Sequence, residues 1–214
     1  MPIAAYPYES VVEIISEINR LHYSFSSGLG ALLCFNLKKS VSSVVVNNRI
    51  DREFQELIVS YKARLNRNIS QVSSIRHQFI GIRWRIKQAE SISEKLLYYM
   101  SENHEFGRIP LNKCLNDFLG FRILVNNLEA VFDALQNDHR VTNIAKLYLR
   151  TDSDYKGIHL YFKNGNNRFF PWELQIWDPE QSRLNELSHK EHKQKRQYIS
   201  LPQHYFDANL EKEE

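Results

Sequence analysis

The run RWRIKQAESISEK places Arg85, Lys87, Ser91 and Lys95 where a strand pattern gives way to a helical one. Ile80, Ile82, Trp84 and Ile86 alternate with Gly81, Arg83, Arg85 and Lys87. That period of two predicts a half-buried strand, FIGIRWRIK, with Ile80 to Ile86 in the core and three cations on the other face. Ser91 and Lys95, four residues apart, share one helical face near an N-terminus whose free N–H groups favour anions. Like charges along one strand face repel. A bound polyphosphate would offset that repulsion, while a solvated basic face beside a salt-bridged helix is the plainer reading of the same residues.

Two carboxylates stand at strand positions that could serve such a cradle. In NDFLGFRILVN, Asp117 opens an almost continuously apolar strand, the pattern of a strand covered on both faces. A carboxylate there can hold Mg²⁺, cap a turn or pair with Arg122. In WELQIWD, Glu173, Gln175 and Trp177 fall on one face, with Leu174 and Ile176 on the other. Two sheet carboxylates beside clustered cations are the minimum for metal-assisted phosphoryl transfer, which needs positioning and charge neutralisation rather than a Ser or Cys nucleophile. The turn DSDYKGIH offers Tyr155, Lys156, Gly157 and His159 in a loop leading into a strand, where an aromatic ring suits either base stacking or packing. In NELSHKEHKQKR, Glu186, His189 and Lys193 lie along one helical stripe. His189 and His192 form a lone HxxH without clear further ligands, so a solvated basic helix is favoured over a metal site.

A mixed scaffold must position these residues. Residues 8–25 carry Val11, Val12, Ile14, Ile15, Ile18 and Leu21 at helical spacing, and IDREFQELIVSYKARLNRNI repeats the pattern with Asp51 as its N-cap. The stretch FNLKKSVSSVVVNN between them has no decisive pattern. Beyond residue 78, strand candidates FIGIRWRIK, FLGFRILVN, NIAKLYLR, GIHLYFKN and WELQIWD alternate with helical stretches. The expected class is therefore α/β (α+β), a mixed sheet of about five strands flanked by helices, with a helical N-terminal arm. The expected boundaries are a helical region over 1–77 packing on a domain over 78–205, then an acidic tail over 206–214.

With 43% hydrophobic residues, a chain of 214 residues can bury a sizeable core, and a net charge of +3 is too small to argue for nucleic acid. Cys34 and Cys114 are too few and too far apart for a disulfide scaffold or a zinc site, which fits a reducing cytoplasm. The longest apolar run, GLGALLCF, is too short to span a bilayer, and MPIAAYPYES carries no secretory signal, so a soluble protein without membrane partners is expected.

Taken in order, RIKQAESISEK, DFLGFR, YKGIH, ELQ and HKEHK, over residues 85–193, resemble the RelA/SpoT-type alarmone synthetase domain, of the small, synthetase-only type. The resemblance implies a nucleotidyltransferase-like synthetase fold. It also implies a GTP pyrophosphokinase that transfers pyrophosphate from ATP to the 3′-hydroxyl of GDP or GTP with Mg²⁺, producing ppGpp or pppGpp. By motif, Arg85, Lys87, Ser91 and Lys95 would hold ATP, with Arg85 near the adenine. Asp117 and Glu173 would be the catalytic pair and the Mg²⁺ ligands, Glu173 also acting as general base. Tyr155 would stack on the acceptor base, while His159, Gln175, His189 and Lys193 would line the acceptor and phosphate side. Arg122 would support the strand, and Arg83 matches no motif.

The chain departs from the family pattern at Trp177, where arginine is common, at His192, where tyrosine is usual, and at Asp154, where glycine is common. These changes fall on the acceptor side and leave the acceptor open. The alternatives are a toxin-type relative acting on the 3′ end of tRNA, an adenosine nucleotide acceptor, or a non-catalytic nucleotide-binding regulator. The basic segment YKARLNRNISQVSSIRHQFIGIRWR could meet an RNA backbone or simply solvate a helix. An antitoxin partner would accompany the toxin type, and small family members are often homo-oligomers.

Overall fold

The structure, a computed structural model, describes residues 5–30, 35–152, 155–182 and 184–187. Cys34, Asp154, His189, His192, Lys193 and the expected acidic tail lie outside the described residues. Helix α1 (Tyr8–Ser27) buries Val11, Val12, Ile14, Ile15, Ile18, Leu21 and Phe25, the stripe expected of an amphipathic helix. The stretch that follows, undecided from its pattern, contains a hairpin of β1 (Val45–Val46) and β2 (Arg49–Ile50). Asn47 and Asn48 turn it with φ of 51° and 59°, a conformation asparagine tolerates better than most residues. Helix α2 (Arg52–Arg67) starts where Asp51 accepts a hydrogen bond from the Phe54 backbone N–H at 3.0 Å, as the capping signal predicts. Helix α3 (Ile69–Gln78) follows almost directly.

The sheet comprises β3 (Arg83–Ile86), β4 (Leu119–Leu124), β5 (Ala145–Asp152), β6 (Tyr155–Phe162) and β7 (Trp172–Trp177), in the order β3-β4-β7-β6-β5. Helices α4 (Ala89–Tyr98), α5 (Leu111–Cys114), α6 (Leu128–Asn137) and α7 (His139–Thr142) occupy the connections. This is the mixed five-stranded α/β arrangement expected from the sequence. The β4–β7 pair alone is parallel, and the chain between them makes the crossover such a pair requires.

Register decides what shares a face. One row across the sheet reads Arg85, Gly120, Glu173, Tyr161, Lys146, and the row beside it Arg83, Arg122, Gln175, His159, Tyr148. The opposite face presents Trp84, Phe121, Leu174, Leu160 and Leu147 to the core that the helices cover. The sheet is thus polar on one side and apolar on the other.

Three expectations need correction. The strand around Arg85 begins at Arg83, because α3 persists to Gln78 and Gly81, at φ 99°, redirects the chain; Ile80 is consequently 87% exposed, outside the core. β4 is covered on one face only: Phe121 and Ile123 are buried, while Gly120 and Arg122 look onto the polar side. Tyr155 is the first residue of β6, paired with Asp152, rather than part of a preceding loop.

An aromatic cluster ties the helices to the sheet. Tyr61 on α2 meets Phe25, Phe118 and Phe170 at ring distances of 5.3, 4.8 and 4.9 Å, and Phe25 continues to Trp172 at 5.7 Å. The buried side chains of α1–α3 and of the sheet form one continuous core. No helix among the described residues is long and apolar enough to cross a membrane. The Tyr61 hydroxyl reaches the Phe170 carbonyl only at 3.5 Å, the outer limit of a hydrogen bond. Tyr61→Ala should therefore cost about 3–5 kcal/mol in urea unfolding through the cavity it leaves. Tyr61→Phe should cost under about 1 kcal/mol.

Candidate functional site

The polar face of the sheet holds a cleft of about 180 Å³ whose lining includes Arg83, Arg85, Asp117, Arg122, Glu173 and Gln175. Gly120 is part of its floor, opposite both Arg85 and Glu173, and a Cβ there would meet nothing within 4 Å. Three arginines facing two carboxylates give the cleft a net positive rim suited to an anion.

At one end, Asp117 sits where the chain enters β4. Its carboxylate accepts from Lys87 Nζ and, at 3.2 Å, from Lys95 Nζ, which also donates to Asn116 Oδ1 at 3.3 Å. Lys87 extends the line of β3 and Lys95 lies on α4, so two elements deliver their ammonium groups to one carboxylate. Burial alone would raise the Asp117 carboxyl, but the charges of Lys95 and Lys87 overrule it and hold it far below the usual carboxylate range. The two lysines divide the benefit unequally. Burial lowers Lys87, with Lys95 adding repulsion, whereas the attraction of Asp117 overrides burial at Lys95 and raises it.

At the centre, Glu173 is buried and fully bonded. Its Oε1 meets His159 Nδ1 at 2.8 Å and its Oε2 accepts from Gln175 Nε2 at 2.9 Å. Each partner is held in turn. Gln175 Oε1 accepts from Arg122 Nη2 at 3.1 Å, and His159 Nε2 meets the Tyr155 hydroxyl at 2.6 Å. With His159 donating from Nδ1 and Tyr155 donating to Nε2, both ring nitrogens of His159 are paired, while Arg122 Nε is buried without a hydrogen-bond partner among the described residues. Burial tends to raise the Glu173 carboxyl, but the His159 hydrogen bond and charge bring it below its ordinary value. Burial pushes the Tyr155 hydroxyl up to about 12. It also lowers the Arg122 guanidinium to about 10, with the charge of Arg85 adding to the effect.

The other sequence-predicted residues fall as follows. Arg85 lines the cleft, and Ser91 occupies the first turn of α4, half-buried. Tyr155, His159 and Gln175 converge on Glu173 from β6 and β7. Arg83, which no motif covers, lines the cleft and pairs with Glu186 at 3.3 Å, and Arg122, expected to support the strand and the site geometry, reaches the same carboxylate at 3.8 Å. Period-two spacing from Arg85 could have found Arg83. The buried Asn185 had no such signal: its amide accepts from the Lys156 backbone N–H at 3.0 Å and donates to the Lys156 carbonyl at 2.8 Å, fastening residues 184–187 beside the cleft.

Because the folded-state pKa of Asp117 is depressed, its contribution to stability is complete above the unfolded value of about 4 and is lost as the pH falls below it, where the unfolded chain binds the extra proton. Urea unfolding from about pH 5 to about pH 3 should show stability falling less steeply for Asp117→Asn than for the wild type. Equal slopes would exclude the double lysine pairing.

No family model matches this chain, and no curated protein matches it. Among solved structures, the chain is similar to small alarmone synthetase 1 from Bacillus subtilis at 16% identity, over 76% of this chain and 96% of that chain, with a TM-score of 0.38. It is likewise similar to the same synthetase bound to AMPCPP at 16% identity, over 70% of this chain and 81% of that chain, with a TM-score of 0.36.

Proposed function

We propose that this protein is a pyrophosphokinase that transfers the β,γ-pyrophosphoryl group of ATP to the 3′-hydroxyl of GDP or GTP. One observation carries the reading: a cleft walled by Arg83, Arg85 and Arg122 contains an Asp117 paired with two lysines and, across Gly120, a buried Glu173. Lys87 and Lys95 outnumber their carboxylate, so a polyphosphate entering the cleft finds cationic charge that Asp117 has not neutralised. Arg122 offers a guanidinium plane for a purine base, with Arg85 close enough to act on the same ligand. Ser91, in the first turn of α4, adds a hydroxyl on the phosphate side.

The acceptor 3′-oxygen attacks the β-phosphorus, the bond from that phosphorus to the α,β-bridging oxygen breaks, and AMP leaves with the electron pair. Glu173 takes the proton of the attacking hydroxyl, its carboxylate kept ionised and oriented by His159 and Gln175. Tyr155 stacks on the acceptor base, and His159 and Gln175 line its ribose and phosphate side. Asp117 and Glu173 would hold Mg²⁺, since both line the cleft and both are oxygen donors. When bound, the metal neutralises charge on the transferred phosphates. No group of three or more metal-ligating side chains gathers among the described residues.

Incubation with γ-labelled ATP and Mg²⁺ in the presence of GDP, GTP or bulk tRNA tests the reading. Label is expected on the guanosine nucleotides. Label on tRNA alone would overturn the choice of acceptor, and none on any acceptor would overturn the enzyme assignment.

Glu173→Gln should lower transfer at least about 100-fold while ATP still binds, because the base, a charge and a metal-holding oxygen are lost and the new amide NH2 leaves one of the two N–H donors at this position unpaired. Tyr155→Ala should raise KM for the acceptor about tenfold, the order of one lost base stack, with ATP affinity unchanged in equilibrium binding. Equal loss of both affinities would misplace the ring.

A further inference from the structure

Trp177, at a position where the chain departs from the motif it otherwise resembles, is fully buried and touches both arms that reach Glu173. The Arg122 guanidinium carbon lies over the Trp177 ring, 3.4 Å from its centre. The indole Nε1–H donates to the Tyr155 hydroxyl at 3.1 Å, and the two rings meet edge-on at 83°. Arg122 in turn holds Gln175, and Tyr155 holds His159, the two residues that bond the Glu173 carboxylate. Six side chains therefore close a ring, Glu173–His159–Tyr155–Trp177–Arg122–Gln175, in which Trp177 is the member furthest from Glu173.

The backbone is shaped for this contact. Gly157 faces the indole from β6, and a Cβ there would lie 2.9 Å from Trp177 Cδ1 and 2.9 Å from the Tyr155 hydroxyl. Any larger residue at 157 would push the two rings apart. A cationic side chain at 177 would lie against Arg122 and repel it, whereas indole supplies an attractive face for the guanidinium and a donor for the phenol in one rigid group.

We propose that Trp177 is a positioning residue of this site: through its face it sets the plane of Arg122, through its N–H it sets the hydroxyl of Tyr155, and so it steadies Glu173 from both ends. The two contacts are separable because they use different parts of the indole. Trp177→Phe keeps an aromatic face and removes the donor, and Trp177→Leu removes both.

The kinetic test rests on the transfer reaction proposed above. In Trp177→Phe, kcat should fall about fivefold, the order of one lost neutral hydrogen bond, with KM for ATP within about twofold of wild type. In Trp177→Leu, KM for ATP should also rise about fivefold as Arg122 loses its stack. A wild-type kcat in Trp177→Phe, or the same KM for ATP in both variants, would overturn the proposal. Loss of kcat and KM in fixed proportion to thermal stability would overturn it too, since that is the mark of a packing role.

A second measurement needs no activity. The indole N–H proton resonance of Trp177 should move upfield in Tyr155→Phe, and an unmoved resonance would remove the contact on which the ring depends. A wild-type protein that labels no acceptor would sink the proposed reaction while leaving this spectroscopic test standing.

Discussion

A carboxylate cannot be buried in a sheet without partners, and Glu173 is buried in the middle of this one. Most of the cleft answers that constraint. His159 and Gln175 occupy the two carboxylate oxygens, and because both are themselves buried and polar, they need Tyr155 and Arg122 to satisfy them. The chain of requirements ends at Trp177, whose face and N–H serve Arg122 and Tyr155 together. Such a network holds its reactive oxygens in one place before any substrate arrives, which is what electrostatic catalysis asks of a site.

The second carboxylate obeys a different balance. Asp117 has two ammonium partners and is overwhelmingly ionised, and it holds together, at one end of the cleft, two lysines that would otherwise repel each other. Glu173 is thus held by hydrogen bonds to His159 and Gln175, and Asp117 by ion pairs to two lysines.

Core and cleft are coupled along the chain, one residue apart. Asp117 precedes Phe118, which packs on Tyr61 and Phe170, and Glu173 follows Trp172, which packs on Phe25 and His22. Each catalytic candidate is therefore one residue from a ring clamped by α1 or α2. A one-residue slip of β7 would exchange Glu173 and Trp172 between faces, so the aromatic core also enforces the register of that strand.

Local chemistry was legible along the chain wherever one element carried the whole pattern. The stripe of α1, the Asp51 cap of α2, the alternation of Glu173, Gln175 and Trp177, and the strands of the mixed sheet could all be read from spacing, because side-chain direction repeats within a helix or strand. The two-asparagine hairpin, the late start of β3 and the exposure of Ile80 could not, since turn conformation and neighbouring helix length decided them. Nor could the Asn185 clasp, the reach of Arg83 and Arg122 to Glu186, or the ring closed by Trp177. Those contacts join residues distant in sequence, and for the ring it is the parallel β4–β7 register and the β6–β7 pairing that put its members within reach. The residue types were present in the sequence, and tertiary structure alone decided which of them share a face, because pairing between distant strands depends on the whole sheet closing around one core.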